Sequence, residues 1–450
     1  MKPVILLNGL IFSNGYRFKG NVVIDNGLIS SVDVGFVDAK TIDSDNYDVV
    51  DCEGKMILPG VIDEHVHFRE PGLTEKGDIA TESRAALAGG ITSFFDMPNT
   101  TPQTTTIQAW EQKMERAASV SAANYAFFLG ATATNLDEIL AADYTRIPGV
   151  KLFMGSSTGG MLLDREDELR RLFSSFPYVI ACHAESEEII RTNREKLLGQ
   201  YPAGIPVGLH STLRSRESCV AATRRAVNLA NETGARLHMM HITTADELDF
   251  FTPGSMVGKR VTAETCPHYL YFTEESVART GGLTKCNPAL KSEADRRALL
   301  RAVSDGRIDV IATDHAPHLL SQKQGGDALS TPSGMPSVQF ALPLMLQLTL
   351  KGHFTVEDVV EKMSGAPSRL YRMSRRGYIR KQYMADIVVV DPDADYVISR
   401  EDVLSPCGWS PFEGVKLNFK VEQTWVNGVP AYINGKFTEK QTALAVRFDV

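Results

Sequence analysis

The chain has no C-x-x-C pair, no basic stripe and no apolar run of membrane-spanning length, and each absence removes a class of function. Its six cysteines, Cys52, Cys182, Cys219, Cys266, Cys286 and Cys407, stand singly. Such spacing suits reduced thiols in a cytoplasmic protein and argues against a disulfide framework or dithiol redox chemistry. A net charge of -8, with Lys and Arg scattered, argues against a nucleic-acid surface or a polyanionic partner. The apolar run at Val4 to Leu7 is too short for a signal-peptide core, so no membrane association is expected. What remains is an ordinary globular composition, 43% hydrophobic and 23% charged over 450 residues, with room for one large domain and a smaller one.

Both ends of the chain read as β structure. Short β runs at 4–12, 16–25, 28–34 and 49–52 are broken by turns such as Asn26-Gly27, a strong hairpin signal. Runs at 385–391, 419–426 and 431–433, with the turn Asn427-Gly428, close the chain in the same style. Neither end alone has enough strands for a two-sided core. The expectation is one flanking β-sandwich built from both termini, residues 1–56 plus 386–450.

Between them, β runs alternate with amphipathic helical stretches. The β runs fall at 61–68, 92–98, 124–130, 150–155, 178–185, 236–243, 260–267 and 309–316, and helical patterns follow at Ile79 to Ala88, Ile107 to Ala118 and Ser215 to Glu232. Eight such units point to an α/β fold, a (β/α)8 TIM barrel over 57–385. Chemistry in that architecture stands at the carboxyl ends of the strands.

Polar residues gather there. His65 and His67 are two apart, so on a strand both imidazoles share one face and can grip one ion. His183, His241 and Asp314 end other strands, and chance placement would scatter four of the ten histidines more widely. The set suits a binuclear centre, with His65, His67 and Asp314 on one ion, His183 and His241 on the other, and an anionic bridge between. Zinc is the favoured metal for imidazole and carboxylate donors. Lys151 occupies the strand from which the bridge should come. Driven neutral by burial beside two dications, it would add carbon dioxide to become an N6-carboxylysine; the alternative is an outward, snorkelling lysine.

The strings His65-Val66-His67-Phe68-Arg69-Glu70-Pro71-Gly72, Asp96-Met97-Pro98-Asn99-Thr100, Val150-Lys151-Leu152-Phe153, Cys286-Asn287-Pro288-Ala289-Leu290 and Ala312-Thr313-Asp314-His315-Ala316-Pro317-His318 resemble the dihydroorotases of the amidohydrolase superfamily. The similarity runs from about 50 to 400. It implies a (β/α)8 barrel with a flanking β-sandwich, two zinc ions, and reversible closure of N-carbamoyl-L-aspartate to L-dihydroorotate in pyrimidine synthesis. Carried over, His65, His67, Lys151, His183, His241 and Asp314 are the metal ligands, Asp314 is the general acid and base, and Arg69, Asn99, Asn287 and His318 are the substrate contacts. A homodimer is a further family expectation.

Some members use an aspartate as the bridge; Lys151 resembles the carboxylated-lysine branch shared with hydantoinase-like enzymes. The substrate-loop region at 331–339, which would bring Gly334 to the substrate, departs from the family at Ser333 and Gln339. Arg69 discriminates among related substrates, because dihydroorotate carries an α-carboxylate and hydantoin and allantoin do not. A local pairing of Arg69 with Glu70 is the competing reading. The polar stretch 319–330, with its Gly325-Gly326 pair, reads as a lid or a solvated loop. Glu264 and His268 read as ordinary hydrogen-bonding groups at the barrel rim, the alternative being support behind the metal ligands or a further metal contact, and His238 reads as structural.

Overall fold

The computed structural model describes residues 2–155, 161–440 and 442–450. Asn-Gly pairs turn the terminal strands: Asn26 and Gly27 have φ of 46° and 81°, and Asn427 and Gly428 have 51° and 78°. Two positive values in succession are what a tight type I′ hairpin turn requires. The first pair joins Tyr16–Asp25 to Leu28–Val34, the second Lys420–Val426 to Val429–Ile433, both antiparallel.

The two ends meet in one nine-stranded sheet. Met56–Pro59 joins them, running parallel to Val4–Ser13 on one side and antiparallel to Ile387–Asp391 on the other. Leu6, Ile11, Val22 and Ile57 from the front of the chain share one buried cluster with Ile387 and Trp425 from its end. Removing such side chains from water is the main favourable term in holding the ends together.

The barrel follows at once. Its strands are Val61–Val66, Ile91–Asp96, Asn124–Phe127 continuing as Leu129–Gly130, Gly149–Phe153, Val179–His183, Arg236–Met239, Val261–Thr265 and Val310–Ile311. Paired neighbours run parallel. The strands are buried along almost their whole length, as expected where helices cover the outside and packed side chains fill the inside. Local signals start and stop those helices. Asp78 and Thr81 form a capping box at the head of Ile79–Ala88, and Gly234, with φ of 75°, ends Arg216–Thr233. Among the described residues, no helix is long and apolar enough to cross a membrane.

Two strands are shorter than the apolar runs suggest. The sixth ends at Met239 and the eighth at Ile311, because the following residues leave the ladder: His241 and Asp314 have φ of 42° and 47°. Non-glycine residues seldom adopt this left-handed region, at a cost of about 1–2 kcal/mol.

The ring closes between strands one and eight. Val66 bridges His315, and the His67 N–H donates to the His315 carbonyl at 2.7 Å. Beneath them the buried Asp63 carboxylate accepts from the Thr313 N–H at 3.0 Å and from its hydroxyl at 2.6 Å. Asp63→Ala would leave the Thr313 N–H buried and unpaired and its hydroxyl with only a 3.4 Å contact to the His65 carbonyl. A loss of about 2–5 kcal/mol in urea unfolding is expected, and a loss below about 1 kcal/mol would contradict this role.

Candidate active site

His65 lies in the first barrel strand and His67 just beyond it, so both rings lean to one side of the mouth. They meet Asp314 from just beyond strand eight, whose Oδ1 is 3.2 Å from His65 Nε2 and 3.1 Å from His67 Nε2. From strands five and six, His183 Nδ1 and His241 Nε2 come within 2.8 Å of each other. The His65 and His241 ring centroids are 5.5 Å apart, so the two pairs adjoin.

The far nitrogens of these rings are held from behind. His65 Nδ1 meets Glu264 Oε1 at 3.0 Å, His67 Nδ1 meets Asn99 Oδ1 at 2.8 Å, and His183 Nε2 meets Glu185 Oε2 at 3.1 Å. A donor engaged behind the ring fixes the tautomer and leaves the front nitrogen as a lone pair. Glu185 also pairs with the buried Arg214. Burial holds His65 and His241 well below the usual imidazole range and lowers His67 as well, which favours neutral rings. Burial by itself raises the Asp314 carboxyl, but the neighbouring imidazoles outweigh it and hold the group well below the usual range.

Lys151, in the middle of strand four, is fully buried and lines the same space. Its Nζ is 2.6 Å from Met240 Sδ and 4.9 Å from the centre of the Phe153 ring. Burial pulls the ammonium below its ordinary range.

One cavity of about 910 Å³ collects the groups that sequence reasoning singled out. Arg69, Asn99, Asn287, His318 and Gly334 line it together with His65, His67, Lys151, His183, His241 and Asp314. Arg69 sits at φ of 69°, with Nε donating to the Pro317 carbonyl at 3.0 Å and Nη2 3.2 Å from His318 Nε2. Glu70 is taken by Arg116 at 2.6 Å, so the local pairing with Arg69 does not form. Burial lowers the Arg69 guanidinium to about 10, which leaves it charged at neutral pH. Burial and Arg69 together pull His318 down to about 2, so that ring is neutral. The Asn287 Oδ1 is occupied by His210 Nε2 at 2.9 Å, leaving its amide NH2 group for a ligand.

Several neighbours were less legible. Glu264 does more than satisfy the rim, because it holds the His65 ring and accepts from the His241 N–H at 3.0 Å. Glu185 carried one signal, its two-residue spacing from His183; His210 carried none. His268 takes no part: it is buried against Tyr269, and neither ring nitrogen has a hydrogen-bond partner among the described residues. His238 points inside the barrel, with Nε2 2.7 Å from Glu64 and Nδ1 2.8 Å from Thr262.

The cluster can hold a metal. Ligand atoms of His65, His67 and Asp314 lie within 4.8 Å of one another, and neutral imidazoles with a carboxylate oxygen are a suitable donor set for a divalent ion. His241 Nδ1 is buried without a hydrogen-bond partner among the described residues, and its Nε2 faces His183 Nδ1 at 2.8 Å.

The model of the amidohydrolase family matches residues 56–431. The chain belongs to this family. A dihydroorotase of Halobacterium salinarum is 36% identical, over 80% of this chain and 82% of its own length. An allantoinase of Solibacter usitatus is 30% identical, over 99% of this chain and 97% of its own. The solved L-hydantoinase (dihydropyrimidinase) from Arthrobacter aurescens shares 27% identity, with a TM-score of 0.92 over 99% of this chain and 100% of that one. These relatives make this amidohydrolase a cyclic amidohydrolase, an enzyme of C–N bonds in cyclic amides. If the Glu264 carboxylate orients His65 for a metal, Glu264→Gln lowers metal affinity by about 10–100-fold in a chelator competition. Unchanged affinity would show that its hydrogen bond is incidental.

Proposed function

We propose that this amidohydrolase is a dihydroorotase, interconverting N-carbamoyl-L-aspartate and L-dihydroorotate in pyrimidine synthesis. The observation that carries the reading is Arg69, a buried and charged guanidinium on the cavity wall that makes no ion pair among the described residues. An α-carboxylate on the substrate satisfies it with charge-assisted hydrogen bonds, and the Asn99 and Asn287 amides and His318 line the same cavity. The dihydroorotase relatives support the same choice.

The imidazole and carboxylate donors of His65, His67 and Asp314 support a divalent metal such as zinc. In this reading His65, His67 and Asp314 would hold one ion, His183 and His241 the other, and Lys151, carboxylated at Nζ, would supply the anionic ligand. When bound, such a pair supplies an acidified water and polarises the ring carbonyl. The protein supplies the proton path and the orientation. Asp314 Oδ1 faces the front nitrogens of both imidazoles and would share an ion with them. Its Oδ2 is therefore the atom that takes the proton from the attacking water and returns it to the ring nitrogen as the C–N bond breaks. Ring closure runs the same path backwards. The clamp at Arg69 holds the carboxylate end still while the amide end reacts.

A second reading, a sister enzyme acting on allantoin or hydantoin, is favoured by the allantoinase and L-hydantoinase likenesses. Those rings carry no carboxylate. They would leave Arg69 charged, buried and unmatched.

Two variants test the assignment. Asp314→Asn is expected to stay folded and lose at least about a hundredfold in kcat, the scale of a general acid and base; near-normal turnover would remove Asp314 from that role. Arg69→Met should raise KM for L-dihydroorotate by roughly a hundredfold to a few thousandfold, the equivalent of about 3–5 kcal/mol for breaking a buried charge pair. An unchanged KM would sink the carboxylate clamp.

A further inference from the structure

The segment that follows strand eight is neither a free lid nor a solvated loop along its whole length. Its short helix Leu320–Lys323 ends in a lysine that is 1% exposed. The Lys323 ammonium donates to three backbone carbonyls, those of Lys285 at 3.1 Å, Pro332 at 2.8 Å and Gly334 at 2.7 Å. Burial, with Lys285 beside it, pulls the group down to about 7, and in its ammonium form all three N–H donors are spent on the backbone. Nothing remains for a substrate, and Lys323 does not line the cavity whose wall is formed in part by Thr331 to Gly334.

What Lys323 holds is the substrate loop. The Gly334 N–H donates back to the Lys285 carbonyl at 2.9 Å, and the Lys285 ammonium donates to the Thr331 carbonyl. The Ser333 carbonyl in the same turn lies 3.0 Å from His318 Nε2, the atom that is also 3.2 Å from Arg69 Nη2. Trp409 closes the far side: its ring lies 6.0 Å from Lys323 Nζ, and its indole N–H donates to the His318 carbonyl at 2.8 Å. A continuous chain of contacts thus runs from Lys323 through Pro332 to Gly334, to His318, and to Arg69.

We propose that Lys323 is a positioning residue for substrate binding: by drawing the carbonyls of residues 285, 332 and 334 onto one ammonium, it sets the loop that seats His318 beside Arg69. A lysine here does what a small bound cation would do among three carbonyl oxygens, without any metal. Because it acts on the binding wall and not on the metal-side residues, its loss should fall on KM and spare kcat. The choice of ring as probe rests on the dihydroorotase reading; the role of Lys323 does not.

The test is steady-state hydrolysis by the metal-loaded enzyme and its Lys323→Met and Lys323→Arg variants, with melting temperature and metal content measured alongside. Lys323→Met should raise KM about tenfold or more with kcat within about threefold and metal content unchanged. Lys323→Arg keeps the charge in a planar fork that cannot converge on three carbonyls in the same way, so an intermediate KM is expected; it also serves as the folded comparison if the methionine variant is insoluble. A KM within about twofold of wild type in a folded variant, whatever its melting temperature, overturns the proposal and leaves Lys323 a stability residue. So does a loss confined to kcat. Selectivity of the wild-type enzyme among rings reports on the dihydroorotase reading, whereas the ratio of variant to wild-type KM, taken on whichever ring is cleaved, reports on Lys323.

Discussion

Closure of the barrel between its first and eighth strands is the constraint on which the site depends. His65 and His67 stand on one side of that join and Asp314 on the other. The Asp63 carboxylate, clasping the N–H and hydroxyl of Thr313, fixes their separation from below. Without the clasp, only the Val66 bridge to His315 and the His67 N–H bond to the His315 carbonyl would hold the two strands in register. The same join explains the strained backbone at Asp314, which turns out of the ladder to bring its side chain over the mouth. Strain at such positions persists where the surroundings over-determine it.

Around this join, supporting groups lock the rings from behind while the cavity stays open in front. Glu264, Asn99 and Glu185 each hold one imidazole, and each comes from a different strand end. The burial of Glu264 and Glu185 makes the arrangement stiff, since a buried polar group without its partner costs more than the bond is worth. The cluster of His65, His67 and Asp314 and the Arg69 guanidinium line one cavity. The loop at 331–334 forms part of its wall and is held by an ammonium outside the cavity.

Much of this was legible in the chain. The H-x-H pair, the eight β runs and the Asn-Gly turns are local signals, and local periodicity is what a sequence displays directly. His183, His241 and Asp314 were readable because each ends an apolar run. Strand ends were less so: nothing local announces that strand eight leaves the ladder after Ile311, because the reason is a side chain 250 residues away. The hold of Glu264 on His65 spans 199 residues and has no local pattern. Lys323 was hidden for another reason. It sits in a polar, glycine-containing stretch of the kind that normally faces water, and only the convergence of three distant carbonyls buries it.

The most direct measurement is side-by-side hydrolysis of L-dihydroorotate, hydantoin, dihydrouracil and allantoin by the purified enzyme supplied with zinc and bicarbonate. The account predicts selective cleavage of L-dihydroorotate, the ring whose carboxylate matches Arg69. Preference for a ring without that carboxylate would contradict it.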